Sequence, residues 1–211
     1  GAGGLGSPIS IYLGIAGIGK MRIVDNGKVK LNNLNRQVLY CDKDVGKNKA
    51  NSAYEKLVEI NPTIDIEVIH ETITEDSVLY LVADADAIVD AMDNFPTRYV
   101  LNRASLERGV PFFHGGVYGL QGVVTTIIPG ETACLRCIFP EAPPSVTFPV
   151  LGTTPGIIGM IQATEVIKYL TGIGSLLRNR LLQYDGYNSV FSEIRVQRDE
   201  NCPDCCRRQY P

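Results

Sequence analysis

The sequence predicts a single α/β domain in which a nucleotide-binding half runs into an antiparallel half, and three observations carry that expectation. A glycine-rich run, GAGGLG at residues 1–6, is followed about 20 residues later by an acidic group at a strand end, Asp25. Strand-like and helix-like patterns then alternate as far as residue 110. Beyond that point two strand-like runs, 110–119 and 122–130, follow one another with no helix between them. The combination describes a Rossmann-like fold extended into one continuous mixed sheet whose second half is antiparallel. Residues 1–110 form its nucleotide-binding half, and 111–211 the half that carries a crossing loop.

Each element has a local reason. Leu5 to Gly17 is small and apolar with Pro8 in the first turn, as suits a helix packed closely on a sheet. MRIVD at 21–25 is a buried strand, and 26–45 is polar and irregular. Apolar groups at helical spacing run from Val45 to a stop at Asn61-Pro62. A strand over 64–73, a short helix over 75–84 and a buried strand over 87–92 follow. The next helix begins at Phe95-Pro96 and ends at Gly109. The proline-rich stretch 139–156 is an extended crossing loop, and 157–172 is a largely buried helix. Strand signals flank a turn at Asp185-Gly186 before CPDCC. A glycine loop of this kind ordinarily follows a strand, so a first strand and an N-terminal segment are expected ahead of Gly1.

With 211 residues and 45% hydrophobic content, the chain can bury one sizeable core. A formal charge of −3 and the lack of a long basic stripe argue against a nucleic-acid surface. No apolar run approaches the roughly 20 residues of a membrane span, and a cytoplasmic protein is expected.

The chemistry-bearing residues fall in order. Gly1, Gly3 and Gly6 match G-x-G-x-x-G, whose missing side chains let backbone N–H groups approach a phosphate, while Asp25 can accept from both ribose hydroxyls. These alone leave NAD, FAD and ATP open. The polar stretch LNNLNRQVLY, with Asn32, Asn33 and Arg36, and Lys49 at the next helix start offer a planar fork, a point charge and neutral donors. That set suits a triphosphate better than a dinucleotide. Asp93 and Asn94 end a strand, where a carboxylate can hold Mg2+ and either residue can cap the following helix. Cys134, Cys137, Cys202 and Cys205 form two C-x-x-C knuckles, the spacing of a structural Zn2+ site. Cys41 and Cys206 remain outside it, and His70 and His114 read as structural.

Taken in order, GAGGLG, Asp25, NNLNRQ, VGKNKA, the Asp93-Asn94 pair and the paired knuckles resemble the ThiF/MoeB/HesA family, relatives of the adenylation domain of ubiquitin-activating enzymes. The resemblance covers nearly the entire chain. It implies ATP-dependent adenylation of the C-terminal glycine carboxylate of a ubiquitin-like sulfur-carrier protein ending in Gly-Gly, by a homodimer, with release of pyrophosphate. It also implies that Gly4 lies at the nucleotide, Asp25 holds the ribose, Asn33 and Arg36 contact the phosphates, Lys49 stabilises their charge and Asp93 positions Mg2+. The rival readings are an NAD-dependent oxidoreductase and a non-catalytic nucleotide-binding module. The sequence departs from the family at Gly27, where a second aspartate is common, and its crossing loop has no cysteine, so no thioester is expected.

Overall fold

The computed structural model describes residues 1–144 and 148–206. The crossing-loop expectation therefore falls partly, at 145–147, outside the described residues. In chain order the elements are α1 (Gly6–Ala16), β1 (Lys20–Val24), α2 (Lys49–Ile60), β2 (Asp65–Ile69), α3 (Val78–Val82), β3 (Ile88–Val89), α4 (Phe95–Arg108), β4 (Phe112–Tyr118), β5 (Gln121–Ile127), α5 (Leu135–Ile138), α6 (Thr153–Thr171), β6 (Arg180–Asp185) and β7 (Val190–Arg195).

The mixed architecture is as the sequence predicts, with parallel pairing early and antiparallel pairing late. β1 and β2 pair in parallel from Lys20 opposite Asp65 to Val24 opposite Ile69. β3 and β4 are also parallel, and β4 to β7 continue as an antiparallel meander in spatial order. Hydrogen bonding divides these strands into two sheets, because β1 and β3 face each other across a slot of about 580 Å3. Ile9, Leu13, Met21, Ile23, Ile88 and Val89 line it. β3 consequently pairs on one side only and is shorter than the strand read from the sequence.

Helices cover both faces, as near-continuous apolar strands require. Period-two alternation sends the adjacent Phe112 and Phe113, both fully buried, into different cores. Phe113 joins Leu13, Met21, Leu57 and Ile158 beneath α1, α2 and α6, whereas Phe112 joins Leu101, Ile127 and Leu135 beneath α3 and α4. Burying each such ring contributes about 2–3 kcal/mol. α1 and α6 approach closely at Gly159, where a Cβ would lie 2.7 Å from Pro8 Cγ and 3.0 Å from the Leu5 carbonyl.

The local signals mark the ends of most elements. The Asn48 side chain accepts the N–H groups of Ala50 and Asn51 at the start of α2, and Asn61 ends that helix before Pro62. Gly109, at φ 68°, terminates α4 in a left-handed cap. Besides β3, three extents differ from the sequence reading: α2 starts at Lys49 rather than Val45, and β2 and α6 have shifted ends. β2 stops at Ile69 because the backbone N–H groups of Thr74 and Ser77 bond each other's hydroxyls, at 2.9 and 3.2 Å, which turns the chain into α3. α6 starts at Thr153, four residues early, with Pro155 accommodated in its first turn.

Candidate nucleotide and metal sites

At the carboxyl ends of β1 and β3 the separated motifs meet. Gly6 closes the glycine loop onto Gly1: a Cβ at Gly6 would stand 2.1 Å from the Gly1 carbonyl oxygen, a clash with backbone that cannot relax. Gly1 in turn rests on the turn after β3, since a Cβ there would lie 2.7 Å from both the Ala91 oxygen and Met92 Cε. Gly3 and Gly4 face the polar loop, with Gln37 Nε2 3.7 Å from the Cβ position of Gly3 and Arg36 Cγ 3.5 Å from that of Gly4.

Asp25 follows β1 directly and is held by two backbone donors, Ala2 N–H to Oδ2 and Gly27 N–H to Oδ1, each at 2.8 Å. A Cβ at Gly27 would approach Oδ1 to 3.0 Å and Lys49 Nζ to 3.6 Å, so the glycine preserves the seat of the carboxylate. Lys49 occupies the first position of α2, and its N–H donates to the Gly27 oxygen at 2.9 Å.

In the polar loop, Asn33 is buried and its carbonyl accepts the Lys30 N–H at 3.1 Å while its amide donates to Asn32 Oδ1 at 3.3 Å. Its first job is thus to shape the loop. Arg36 is steadied through Nη1 by the Asn32 carbonyl at 3.1 Å and Asn35 Oδ1 at 2.9 Å, and its Cγ lies beside Gly4. After β3 the two candidate roles divide between neighbours. Asn94 caps α4 by accepting the Thr97 N–H at 2.9 Å, and Asp93 stays exposed with Oδ1 taking the Asn94 amide at 3.2 Å. One exposed carboxylate beside a triphosphate fits Mg2+, which is usually held by one or two carboxylates plus phosphate oxygens.

Sequence reading missed several residues. Tyr40 is buried, and its hydroxyl donates to the carbonyls of Ala2 at 2.8 Å and Lys49 at 3.1 Å, tying the glycine loop to α2. Burial raises its pKa, with Asp25 and Asp44 adding to the effect, so it stays a donor. Gln37 Oε1 is buried without a partner among the described residues. Asp90, Arg98, His114 and Gln162 form a buried polar group under the Asp93 turn. Of the leftover cysteines, Cys41 donates its thiol to Asp44 Oδ2 at 3.1 Å. Only the polar spacing of the 31–40 stretch hinted at Gln37 and Tyr40.

The four predicted cysteine ligands converge far along the chain from one another. Their sulfurs all lie within 4.8 Å, with Cys134 3.8 Å from Cys137 and 3.6 Å from Cys202, and Cys137 3.5 Å from Cys205. A tetrahedron of zinc–sulfur bonds has edges of about 3.8 Å, so the donor set fits that metal. Burial pushes the Cys134 thiol up to about 12 and raises that of Cys205, so a cation is needed to draw out their protons. Asn102 of α4 bridges both knuckles, accepting the Leu135 N–H at 2.8 Å and donating to Asp204 Oδ2 at 3.0 Å.

Comparison with known proteins agrees with this geometry. A family model described as the ThiF family matches residues 1–204. The SAMP-activating enzyme E1 of Haloferax volcanii is 43% identical over 211 residues, covering 97% of this chain and 78% of that protein. The sulfur carrier protein adenylyltransferase of Thermus thermophilus is 39% identical over 216 residues, covering 97% of this chain and 80% of that protein. Among solved structures, E. coli MccB with ATP has a TM-score of 0.84 at 26% identity, over 97% of this chain and 64% of that one. This chain therefore spans just under two thirds of the MccB chain.

Proposed function

The chain belongs to the ThiF family, and we propose that it uses ATP to adenylate the C-terminal glycine carboxylate of a ubiquitin-like sulfur-carrier protein. The carboxylate attacks the α-phosphorus of ATP, the bond to the bridging oxygen breaks and pyrophosphate leaves. A carboxylate is already an adequate nucleophile, so catalysis reduces to alignment and charge stabilisation. Asp25 receives the ribose hydroxyls, and the glycine loop admits the nucleotide against backbone. Arg36 and Lys49 stabilise charge growing on the phosphates, with Asn32 and Asn33 shaping the loop that presents Arg36. Asp93 would hold Mg2+, which when bound neutralises the leaving pyrophosphate.

The observation that carries this reading is the convergence of Asp25, Arg36, Lys49 and the Met92 turn that leads to Asp93 around one glycine loop, on elements separated by as many as 67 positions (25 to 92). A hydride-transfer site has no use for a cationic pair beside the loop. Zn2+ in the four-cysteine site, a homodimeric assembly and a cytoplasmic location belong to the same proposal; no described helix is long and apolar enough to cross a membrane. The apolar slot between β1 and β3 supports the expected additional strand, because an extended segment parallel to both would join the two sheets.

ATP–pyrophosphate exchange with a carrier ending in Gly-Gly is the test. The wild-type chain is expected to exchange only when that carrier is present. Arg36→Ala and Lys49→Ala are each expected to lower the rate by about 100-fold, the usual cost of one transition-state charge contact. No carrier-dependent exchange in the wild type, together with unchanged nucleotide affinity in Arg36→Ala, would return the site to the dinucleotide reading.

A further inference from the structure

We propose that Asp90, Arg98 and His114 form a positioning clamp that sets where the Asp93 carboxylate stands, by holding the backbone of Met92 from both sides. The inference rests on the adenylation reading and assigns it three residues that do not touch substrate. The N–H of Met92 donates to Asp90 Oδ1 at 2.9 Å, and its carbonyl accepts from Arg98 Nη2 at 2.7 Å. Both hydrogen-bonding groups of the residue immediately before Asp93 are therefore fixed by side chains rather than by a sheet ladder.

Those side chains are fixed in turn. Asp90 Oδ2 is met by His114 Nδ1 at 2.6 Å and lies 3.2 Å from Arg98 Nε. Asp90 and His114 are fully buried and Arg98 is 7% exposed. Arg98 also donates to the Gly115 carbonyl at 3.3 Å, and its guanidinium lies 5.0 Å from the Phe95 ring centroid. Gln162 Nε2 reaches the Asp90 carbonyl at 2.8 Å and that of Phe113 at 3.0 Å, locking the end of β3 to β4. Burial opposes the charge of Asp90, yet Arg98 and the His114 bond outweigh it and keep the carboxyl below its usual range. Burial holds His114 below its usual range despite Asp90, so the ring is neutral and Nδ1–H is the donor.

The structural alternative is that this network merely tethers β3 to α4. A buried charged network is a poor device for that alone, since apolar groups of like volume tether equally well without desolvating three polar side chains. What apolar groups cannot do is orient both backbone polar groups of one residue.

The test is ATP–pyrophosphate exchange by the full chain as a function of Mg2+, with fluorescent-ATP binding in EDTA and a thermal melt on each variant. Arg98→Lys keeps the charge but loses the fork. Arg98→Lys and Asp90→Asn are each expected to raise the half-saturating Mg2+ and lower kcat by about tenfold or more, the usual cost of losing a partner that orients a ligand. Metal-free ATP affinity should stay within about twofold, because Asp25 and the glycine loop are untouched. His114→Ala should share the defect, and His114→Asn, whose amide can replace Nδ1–H, should recover most of it. Variants that melt normally with wild-type Mg2+ dependence would overturn the clamp, as would variants that lose exchange only in step with their melting temperature. Asp93→Asn separates the two levels. If it abolishes exchange while the Arg98 and Asp90 variants keep the wild-type rate and Mg2+ dependence, the clamp alone fails. If wild type shows no carrier-dependent exchange, the adenylation reading fails and the clamp with it.

Discussion

Asp93 and Asn94 are adjacent, polar and both suited to cap a helix, yet the structure assigns them different work. Asn94 takes the cap and Asp93 is left facing solvent beside the glycine loop. Their substitutions should therefore separate cleanly. Asn94→Ala is expected to lower stability by about 1 kcal/mol, the usual worth of an N-cap, and to change exchange only slightly. Asp93→Asn is expected to keep the melting temperature and lose exchange. Paired urea titrations and exchange assays check this, and a stability loss confined to Asp93→Asn would reverse the assignment. Gly27 follows the same logic of neighbours. The departure from the family is not an empty position, because its N–H holds Asp25 Oδ1 and its bare Cα leaves room for that oxygen, which a Cβ would approach to 3.0 Å.

Helix α4 links the two ends of this chemistry. Its first turn follows Asp93, and two to three turns later Asn102 hydrogen-bonds to the backbone of one cysteine knuckle and to Asp204 of the other. Asn102 is completely buried, so removing its amide strands the Leu135 N–H, at a cost of about 1–3 kcal/mol, and takes one donor from Asp204. Asn102→Ala is expected to destabilise the chain by a few kcal/mol and to loosen zinc, which a colorimetric chelator competition reads directly. Unaltered zinc release in a destabilised variant would show that α4 supports the fold without ordering the thiolates. Chain order hides this connection, since Asn102 sits mid-helix with no local partner and finds its contacts 33 and 102 positions away.

For the molecule as a whole, the buried His114–Asp90 pair predicts a pH dependence of stability. The folded pKa of His114 lies below its ordinary value of 6.5, so the unfolded chain takes up a proton that the native one refuses. Stability from this residue is thus complete above about pH 6.5 and falls as pH drops through that value, by at most about 1.4 kcal/mol per pH unit. Asp90 acts in the same direction only below about pH 4, where the unfolded carboxylate protonates. Urea denaturation at saturating zinc between pH 7.5 and pH 5 should show the loss, and His114→Asn should flatten it. An equally steep decline in that variant would place the acid sensitivity elsewhere, with the cysteine thiolates the next group to examine.

Contiguous features were legible from the chain alone. The glycine loop, the helix stops at Asn61-Pro62 and Gly109, the cysteine knuckles and the switch from parallel to antiparallel strands all depend on neighbours within a few positions. Local sterics, capping and period-two burial are therefore enough to specify them. Tertiary structure decided which polar groups stay open beside the glycine loop and which hold others in place. Asn33 turned out to shape its own loop, Tyr40 to join Ala2 to Lys49, and His114, read as a structural histidine, to brace the carboxylate under Asp93. The physical reason is that a buried polar side chain must be satisfied by some partner, but no periodic pattern says which one. Partner choice is settled only when the strands and helices have packed and brought distant donors and acceptors within hydrogen-bond reach.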